Sequence, residues 1–227
     1  GVGRSQQQRP VAFIQDTVKL NVDATQEVRR KNVQYATSFE LPPGVYQLRV
    51  VVRENQDGTV GSLDTTLVIP DVTRQKPELS SVVMVTQRLP ATKKRANPLV
   101  QNGQELVASV TKVVSRAQPL TFFYEIYNPG TPTPAPSGAA APARPAASDA
   151  PVRVLSNVAF YKGMRRVYQT DLVSADAINV KDRKAVAFQV NVPAGALEPG
   201  LYTCQINIVD DGAGTFAFPR MPLYVLR

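Results

Sequence analysis

A six-residue pattern, Leu-x-Pro-Gly-x-Tyr, occurs twice in this chain and constrains its fold more than any other feature. Leu41-Pro42-Pro43-Gly44-Val45-Tyr46 matches Leu197-Glu198-Pro199-Gly200-Leu201-Tyr202. Beyond the motif the two copies stay aligned without a gap: Gly58-Thr59 falls on Gly214-Thr215, and Leu67 on Leu223. Each motif opens a run in which apolar residues alternate with polar ones. Tyr46, Leu48, Val50 and Val52 alternate with Gln47, Arg49 and Arg53, as Tyr202, Cys204, Ile206 and Ile208 do with Thr203, Gln205 and Asn207. A period of two puts each apolar set on one face of a sheet. Pro43 and Pro199 preset φ for a turn, and Gly44 and Gly200 are able to take φ > 0 at its exit. The tyrosine then enters the strand with its ring inward and its hydroxyl in reach of the turn backbone. That is the tyrosine corner found at the start of strand F of immunoglobulin-like sandwiches.

The repeat organises the rest of the chain. Val33–Phe39 resembles Val186–Val192, and Val11-Ala12-Phe13 resembles Val158-Ala159-Phe160. Only the second copy has further strand signals before these, at Ser80–Gln87, Leu106–Ser115 and Leu120–Tyr127. The expected fold is therefore all-β. Two immunoglobulin-like antiparallel β-sandwich modules follow one another, the first (1–72) truncated to about four strands and the second (78–227) built from about seven to eight. Residues 129–151 are rich in Pro, Ala, Gly and Ser and cannot bury enough apolar surface to fold. They read as a flexible insertion within the second module, because the strands on either side belong to one repeat unit. Helix signals are weak: a polar stretch at Ala24–Lys31 and a single turn at Ala194–Leu197. Gly1 reads as a processing or cloning scar, with any targeting signal upstream of it. A first module lacking its opening strands leaves the face of Tyr46, Leu48, Val50 and Val52 uncovered. That face is expected to pack on the second module, on the N-terminal segment or on another chain, with self-association as one outcome.

Absent residue types bound the chemistry. The chain has no His and one Cys. Ser-His-Asp and Cys-His catalysis and histidine metal sites are thereby removed, and a lone Cys builds neither an intrachain disulfide nor a zinc site. Neither a GxGxxG nor a GxxxxGK[ST] phosphate loop occurs. Asp171, Asp176, Asp182, Asp210 and Asp211 lie in polar connections, and nothing singles out two of them as a catalytic pair. The chain is expected not to be an enzyme and to carry no cofactor. Cys204, in phase with the core, reads as a small buried residue.

The binding candidates are few. Net charge is +8, with a sequence pI near 9.7, but the basic residues are scattered. Two short clusters, Arg29-Arg30-Lys31 and Lys93-Lys94-Arg95, lie in polar connections without interleaved aromatics. Solvated loops are the favoured reading. An anionic-polymer patch at Lys93, Lys94 and Arg95 is the alternative, and nucleic acid is a disfavoured partner. Asn55-Gln56-Asp57-Gly58 and Asp210-Asp211-Gly212-Ala213-Gly214 read as hairpin turns rather than calcium loops. A glycan platform would draw on Tyr124, Tyr127, Tyr161 and Tyr168, most of which alternate in phase with core positions.

Four segments carry a family resemblance: Phe39–Val50, Leu79–Val83, Asn97-Pro98-Leu99-Val100, and Leu197–Phe218 with its Val209-Asp210-Asp211. In order, they resemble the C-terminal region of the "VWFA-related" proteins abundant in Acidobacteria. The resemblance covers nearly the whole chain apart from the Pro/Ala insertion and the first few residues. It implies a larger exported bacterial protein, secreted, periplasmic or in the cell envelope, with a von Willebrand factor type A domain upstream. The metal-dependent Asp-x-Ser-x-Ser adhesion motif of such a domain is not present in this chain. The implied role is a non-catalytic structural or protein-interaction module whose partner is another protein or the upstream domain.

Overall fold

The computed structural model describes residues 2–4, 10–17, 35–55, 57–72, 77–91, 97–131 and 152–227. The chain divides into two compact units, Gly1–Arg74 and Gln75–Arg227. Among the described residues the regular structure is β-strand apart from one 3-10 turn at Lys181–Arg183. The helix candidate at Ala24–Lys31 lies outside the described residues. Residues 194–197 form a turn, closed by the Ala196 N–H donating to Pro193 O, rather than a helix.

The first unit is a four-stranded antiparallel sheet. Its strands are β1 (Val2–Arg4), β2 (Pro10–Phe13), β3 (Gly44–Arg53) and β4 (Val60–Ile69), in the order β2-β1-β3-β4. β3 and β4 pair over ten residues without a bulge, with Tyr46 opposite Leu67 and Val50 opposite Leu63. Two expectations are corrected here. The neighbour of β3 is β1, with Gly3 opposite Leu48, and β2 lies outside it. Val11-Ala12-Phe13 is therefore not the counterpart of Val158-Ala159-Phe160; Val2–Arg4 holds that place beside β3. A three-residue apolar match cannot set register, whereas backbone pairing does. Of Val33–Phe39, expected to match Val186–Val192, the described residues 35–39 carry no strand. In the second unit that segment is a strand paired with β10 along its whole length, and among the described residues the first unit has no counterpart of β10.

The second unit is a β-sandwich. One sheet contains β5 (Glu78–Leu79), β6 (Val83–Pro90), β7 (Val100–Gln101), β8 (Gln104–Ala108), β10 (Leu120–Tyr127) and β14 (Ala185–Val192), in the order β14-β10-β6-β8-β7 with β5 also on β10. The other contains β9 (Val113–Ser115), β11 (Val154–Lys162), β12 (Arg165–Gln169), β13 (Val173–Ala175), β15 (Gly200–Asp210), β16 (Thr215–Ala217) and β17 (Arg220–Leu226). Its order is β12-β11-β15-β17-β9, with β13 on β11 and β16 on β15. Pairing is antiparallel except between β9 and β17, which run parallel with Val114 opposite Val225. The core lies between the sheets. Phe122, Tyr124 and Ile126 of β10 and the alternate residues of β14 meet Phe160, Tyr202, Cys204, Ile206, Leu223 and Val225. β10 and β11, which flank the Pro/Ala-rich tract, belong to this one unit, and residues 132–151 of the tract lie outside the described residues.

The repeat is legible in the backbone register. Tyr202 lies opposite Leu223 as Tyr46 lies opposite Leu67, and Asp210 opposite Thr215 as Glu54 stands to Thr59. Gly58 and Gly214 both take a left-handed φ, 77° and 65°, in the turn between. Coverage differs sharply. Ile208 is 3% exposed under the opposing sheet, while its counterpart Val52 is 66% exposed. The face expected to be buried in the first unit is thus graded: Tyr46 is buried, Leu48 and Val50 are half-buried, and Val52 is open.

Candidate functional site

Both tyrosine corners close on the backbone. The Tyr46 hydroxyl donates to Pro42 O at 2.7 Å, and the Tyr202 hydroxyl to Glu198 O at 2.5 Å. Each bond spans four residues and fixes the angle at which the chain enters β3 or β15. The glycines act differently. Gly200 takes φ 140°, a conformation that disfavours a side chain, whereas Gly44 stays outside positive φ. What favours a small residue at 44 is closeness, because a Cβ would lie 3.3 Å from the Tyr46 ring and push it by a few tenths of an ångström. Lys162 adds a clamp to the second corner, with Nζ 4.9 Å from the Tyr202 ring centroid and donating to Pro199 O at 3.3 Å. With Pro43 and Pro199 shaping the turns, these residues are structural.

The other sequence candidates separate. Lys93, Lys94 and Arg95 lie outside the described residues, as do Arg29, Arg30 and Lys31. Tyr124 is buried in the core, and Tyr168 packs on Phe160 at 5.7 Å; Tyr127 and Tyr161 are half-buried on different sheets. The four tyrosines form no common platform. The turn carboxylates are occupied by backbone donors. Asp57 accepts the Thr59 N–H at 2.8 Å, and Glu54 accepts the Asp57 N–H at 2.8 Å. Asp210 was expected in a polar connection; it is instead the last residue of β15 and 2% exposed. Its carboxylate accepts the N–H of Gly130 at 2.8 Å and of Ala213 at 3.0 Å, pinning the start of the Pro/Ala-rich tract to the β15–β16 turn. Gly130 sits so close that a Cβ would overlap the Ala213 main chain. Asp211 pairs with Arg153 at 3.6 Å, and Asp182 with Arg183 at 2.8 Å.

Cys204 is fully buried beneath the opposing sheet. Burial pushes its thiol up to about 12, which keeps it a thiol at neutral pH.

Two polar constellations escaped the sequence reading. Glu125, only 1% exposed on the largely apolar β10, accepts a fork from Arg183: Nη2 to Oε1 at 2.7 Å and Nε to Oε2 at 3.1 Å. That hydrogen bond, ahead of the opposing effect of burial, raises the Arg183 guanidinium above its ordinary range. Burial and the Glu125 charge together push the neighbouring Tyr127 up to about 12. Nothing in the sequence links residues 125 and 183; only the β10–β14 ladder brings them together.

The second constellation lies on the side of β15 and β17 away from the core. Arg220 Nε donates to Gln205 Oε1, Gln205 Nε2 to Asn207 Oδ1, and Asn207 Nδ2 to Asn157 Oδ1, each at 2.7 Å. The ladder crosses β17, β15 and β11 because Gln205 lies opposite Arg220 and Asn207 opposite Asn157. Such a chain is mutually polarising and fixes its side chains in place. Apolar residues border it at both ends. Phe216 and Phe218 stack at 5.4 Å, both exposed, beside Val209, and Leu201 and Tyr224 are exposed at the opposite end. Period-two alternation in β15 announces that Gln205 and Asn207 face outward; their bonding to Arg220 and Asn157 is a tertiary fact.

A half-open gap between Val114, Leu120, Val192, Leu197 and Val225 holds about 10 Å³, no more than a water needs, and a wide, shallow recess of about 510 Å³ is lined by Arg116, Glu198, Pro199 and Arg227. Among the described residues no helix is long and apolar enough to cross a membrane, and no group of three or more acidic, His or Cys side chains is placed to hold a metal ion. Searches for similar proteins found no matching family model and no matching curated protein.

Proposed function

We propose that this chain is a non-catalytic, immunoglobulin-like interaction module of a larger exported bacterial protein, of the VWFA-related kind its motifs resemble. The immunoglobulin-like reading is supported by the strand order of the second unit, the parallel β9–β17 pair and the corner tyrosine opening β15. The observation that carries the interaction role is the outward side of β11, β15 and β17. A pre-ordered polar ladder there, bordered by exposed aromatics, has the makeup of a protein interface: fixed hydrogen-bonding groups, an arginine, and apolar anchors that lose little entropy on binding. The partner is another protein of the envelope or the upstream domain.

The test changes this side and spares the core. Purified envelope proteins are passed over immobilised chain, with Arg220→Glu/Gln205→Ala and Phe216→Ser as variants and Leu89→Ser, exposed on β6 of the opposing sheet, as control. Retention of a defined protein that falls at least tenfold in the first two and persists in the control supports the proposal. Equal retention throughout sinks it, as does hydrolase or transferase turnover that vanishes when one carboxylate of this chain is changed.

A further inference from the structure

Strand register gathers exposed apolar side chains into one row at the end of the second unit where β15 begins. Leu201 of β15 lies opposite Tyr224 of β17, and Tyr224 opposite Val113 of β9. On the other side of Leu201 comes the β11–β12 hairpin. Tyr161 is paired with Thr203, and the antiparallel ladder runs on from there to the hairpin tip at Gly163-Met164. Val113, Leu201 and Tyr224 share the solvent side, since Val114, Tyr202, Leu223 and Val225 beside them are buried. Met164 is 100% exposed and Leu201 65%, and Leu226, two residues beyond Tyr224, is exposed as well. The row crosses four strands, about 14 Å at ordinary strand spacing. Hydrophobic residues exposed singly carry no message, whereas a continuous row marks a contact surface.

Cations border this row. Lys162 and Arg165 flank Gly163-Met164 and pair across the hairpin. Lys162 Nζ donates to Pro199 O, and Pro199 lines the shallow recess with Glu198, Arg116 and Arg227. The segments that supply the row and the recess, 113–116, 162–165, 198–203 and 222–227, hold four cations, Arg116, Lys162, Arg165 and Arg227, and one carboxylate, Glu198. That carboxylate is already answered by Arg116 at 2.8 Å. The rim therefore presents an excess of positive charge beside an apolar strip.

We infer that this rim seats the second unit on an anionic lipid surface, with Met164, Leu201 and Tyr224 entering the headgroup layer and the cations meeting its phosphates. Long cationic side chains extend their charges toward phosphate while the strip between them goes deeper, and a tyrosine suits the boundary between apolar and wet. The chemistry favours a fluid anionic layer over other polyanions or a protein. The row has none of the fixed hydrogen-bonding groups of the Gln205–Asn207 ladder, with which a protein partner's polar groups would be selected. It carries one ring, where a single nucleic-acid strand calls for a series of stacking platforms. The contact uses no residue of the polar ladder and no part of the Phe216–Phe218 stack, so it is independent of the interface proposed above.

Co-sedimentation of the full chain with vesicles tests it. Vesicles of equal parts phosphatidylglycerol and phosphatidylcholine are expected to carry the chain down, and vesicles of phosphatidylcholine alone to leave it in solution. Each cation at an anionic surface changes the partition about fivefold, so Arg165→Gln/Arg227→Gln should weaken binding at least tenfold. Met164→Ser/Leu201→Ser should weaken it at least fivefold, with an unchanged circular dichroism spectrum. Lys181→Gln/Lys184→Gln, the same change in charge made just before β14 at the opposite end of the unit, should bind like the wild type. An environment-sensitive fluorophore on Met164→Cys should shift to the blue on the anionic vesicles, the native Cys204 being buried, and one on Thr215→Cys, at the far end of β15, should not. A chain that ignores anionic vesicles overturns the inference, as does binding that Lys181→Gln/Lys184→Gln weakens as much as Arg165→Gln/Arg227→Gln, the mark of net charge alone. A fluorophore at 164 that shifts no more than one at 215 overturns it too. So does loss of a retained envelope protein in Met164→Ser/Leu201→Ser when vesicles bind no chain, since the rim is then a protein surface.

Discussion

A hydroxyl that reaches back to a carbonyl four residues earlier, as Tyr46 and Tyr202 do, trades little entropy for a fixed strand entry, since the ring is already held by the core. Removing it leaves a carbonyl short of a partner. Tyr202→Phe should lower the stability of the second unit by about 1 kcal/mol, read as a shift of the urea midpoint without a change in slope. Tyr46→Phe should cost the first unit a similar or smaller amount, its ring being less enclosed. Alkaline pH gives a second prediction. Burial raises Cys204 and Tyr124, and burial with the Glu125 charge raises Tyr127, each to about 12 in the folded chain. Groups raised on folding contribute stability in full below their unfolded pKa, and that contribution fades as pH rises toward the folded value. Denaturation midpoints of the second unit should hold steady up to about pH 9 and fall between there and about pH 12, while native Cys204 resists alkylation at pH 8. The proline, glycine and tyrosine of each corner were readable because the motif is local. The Lys162 clamp was not, since it arrives from β11.

At the scale of elements, ladders decide which segments become strands. β10 is buried on both faces yet carries Glu125, and a buried carboxylate is tolerable only with its Arg183 fork in place. Arg183→Met should therefore destabilise the second unit by roughly 3 kcal/mol, more than Asp182→Asn, which removes only an exposed contact of the same guanidinium. Thermal melts of the two variants check the ranking, and equal losses would contradict it. Strand periodicity located β3, β10 and β15, whose apolar residues are dense. It misassigned β2 and expected a strand at 33–39, because a short or weakly patterned segment takes its state from the neighbour it pairs with. The parallel β9–β17 contact had no sequence signal for the same reason.

For the whole molecule, one hairpin design meets two degrees of coverage. β3 and β4 share register with β15 and β17, but the second unit adds an opposing sheet. Amide exchange should therefore be faster in β3 and β4 than in β10 and β15. Equal protection would mean that the open face is covered. Tyrosine 46 is the best enclosed of its face, so protection within β3 should decline from Tyr46 toward Val52.

By itself the sequence determined the all-β class, the two corners, the shared hairpin register and the inward phase of Cys204. Each of these rests on periodicity or turn chemistry within a few residues, and local sterics enforce them wherever the segment ends up. Only the tertiary structure decided that β1 rather than β2 flanks β3, that Arg183 answers Glu125, and that a hydrogen-bonded ladder runs from Arg220 to Asn157. It alone decided that β17 gains β9 as a second neighbour, whereas β4, among the described residues, pairs only with β3. Those facts depend on which backbones lie side by side, a choice made by burial of the whole sheet and not by any short stretch of residues.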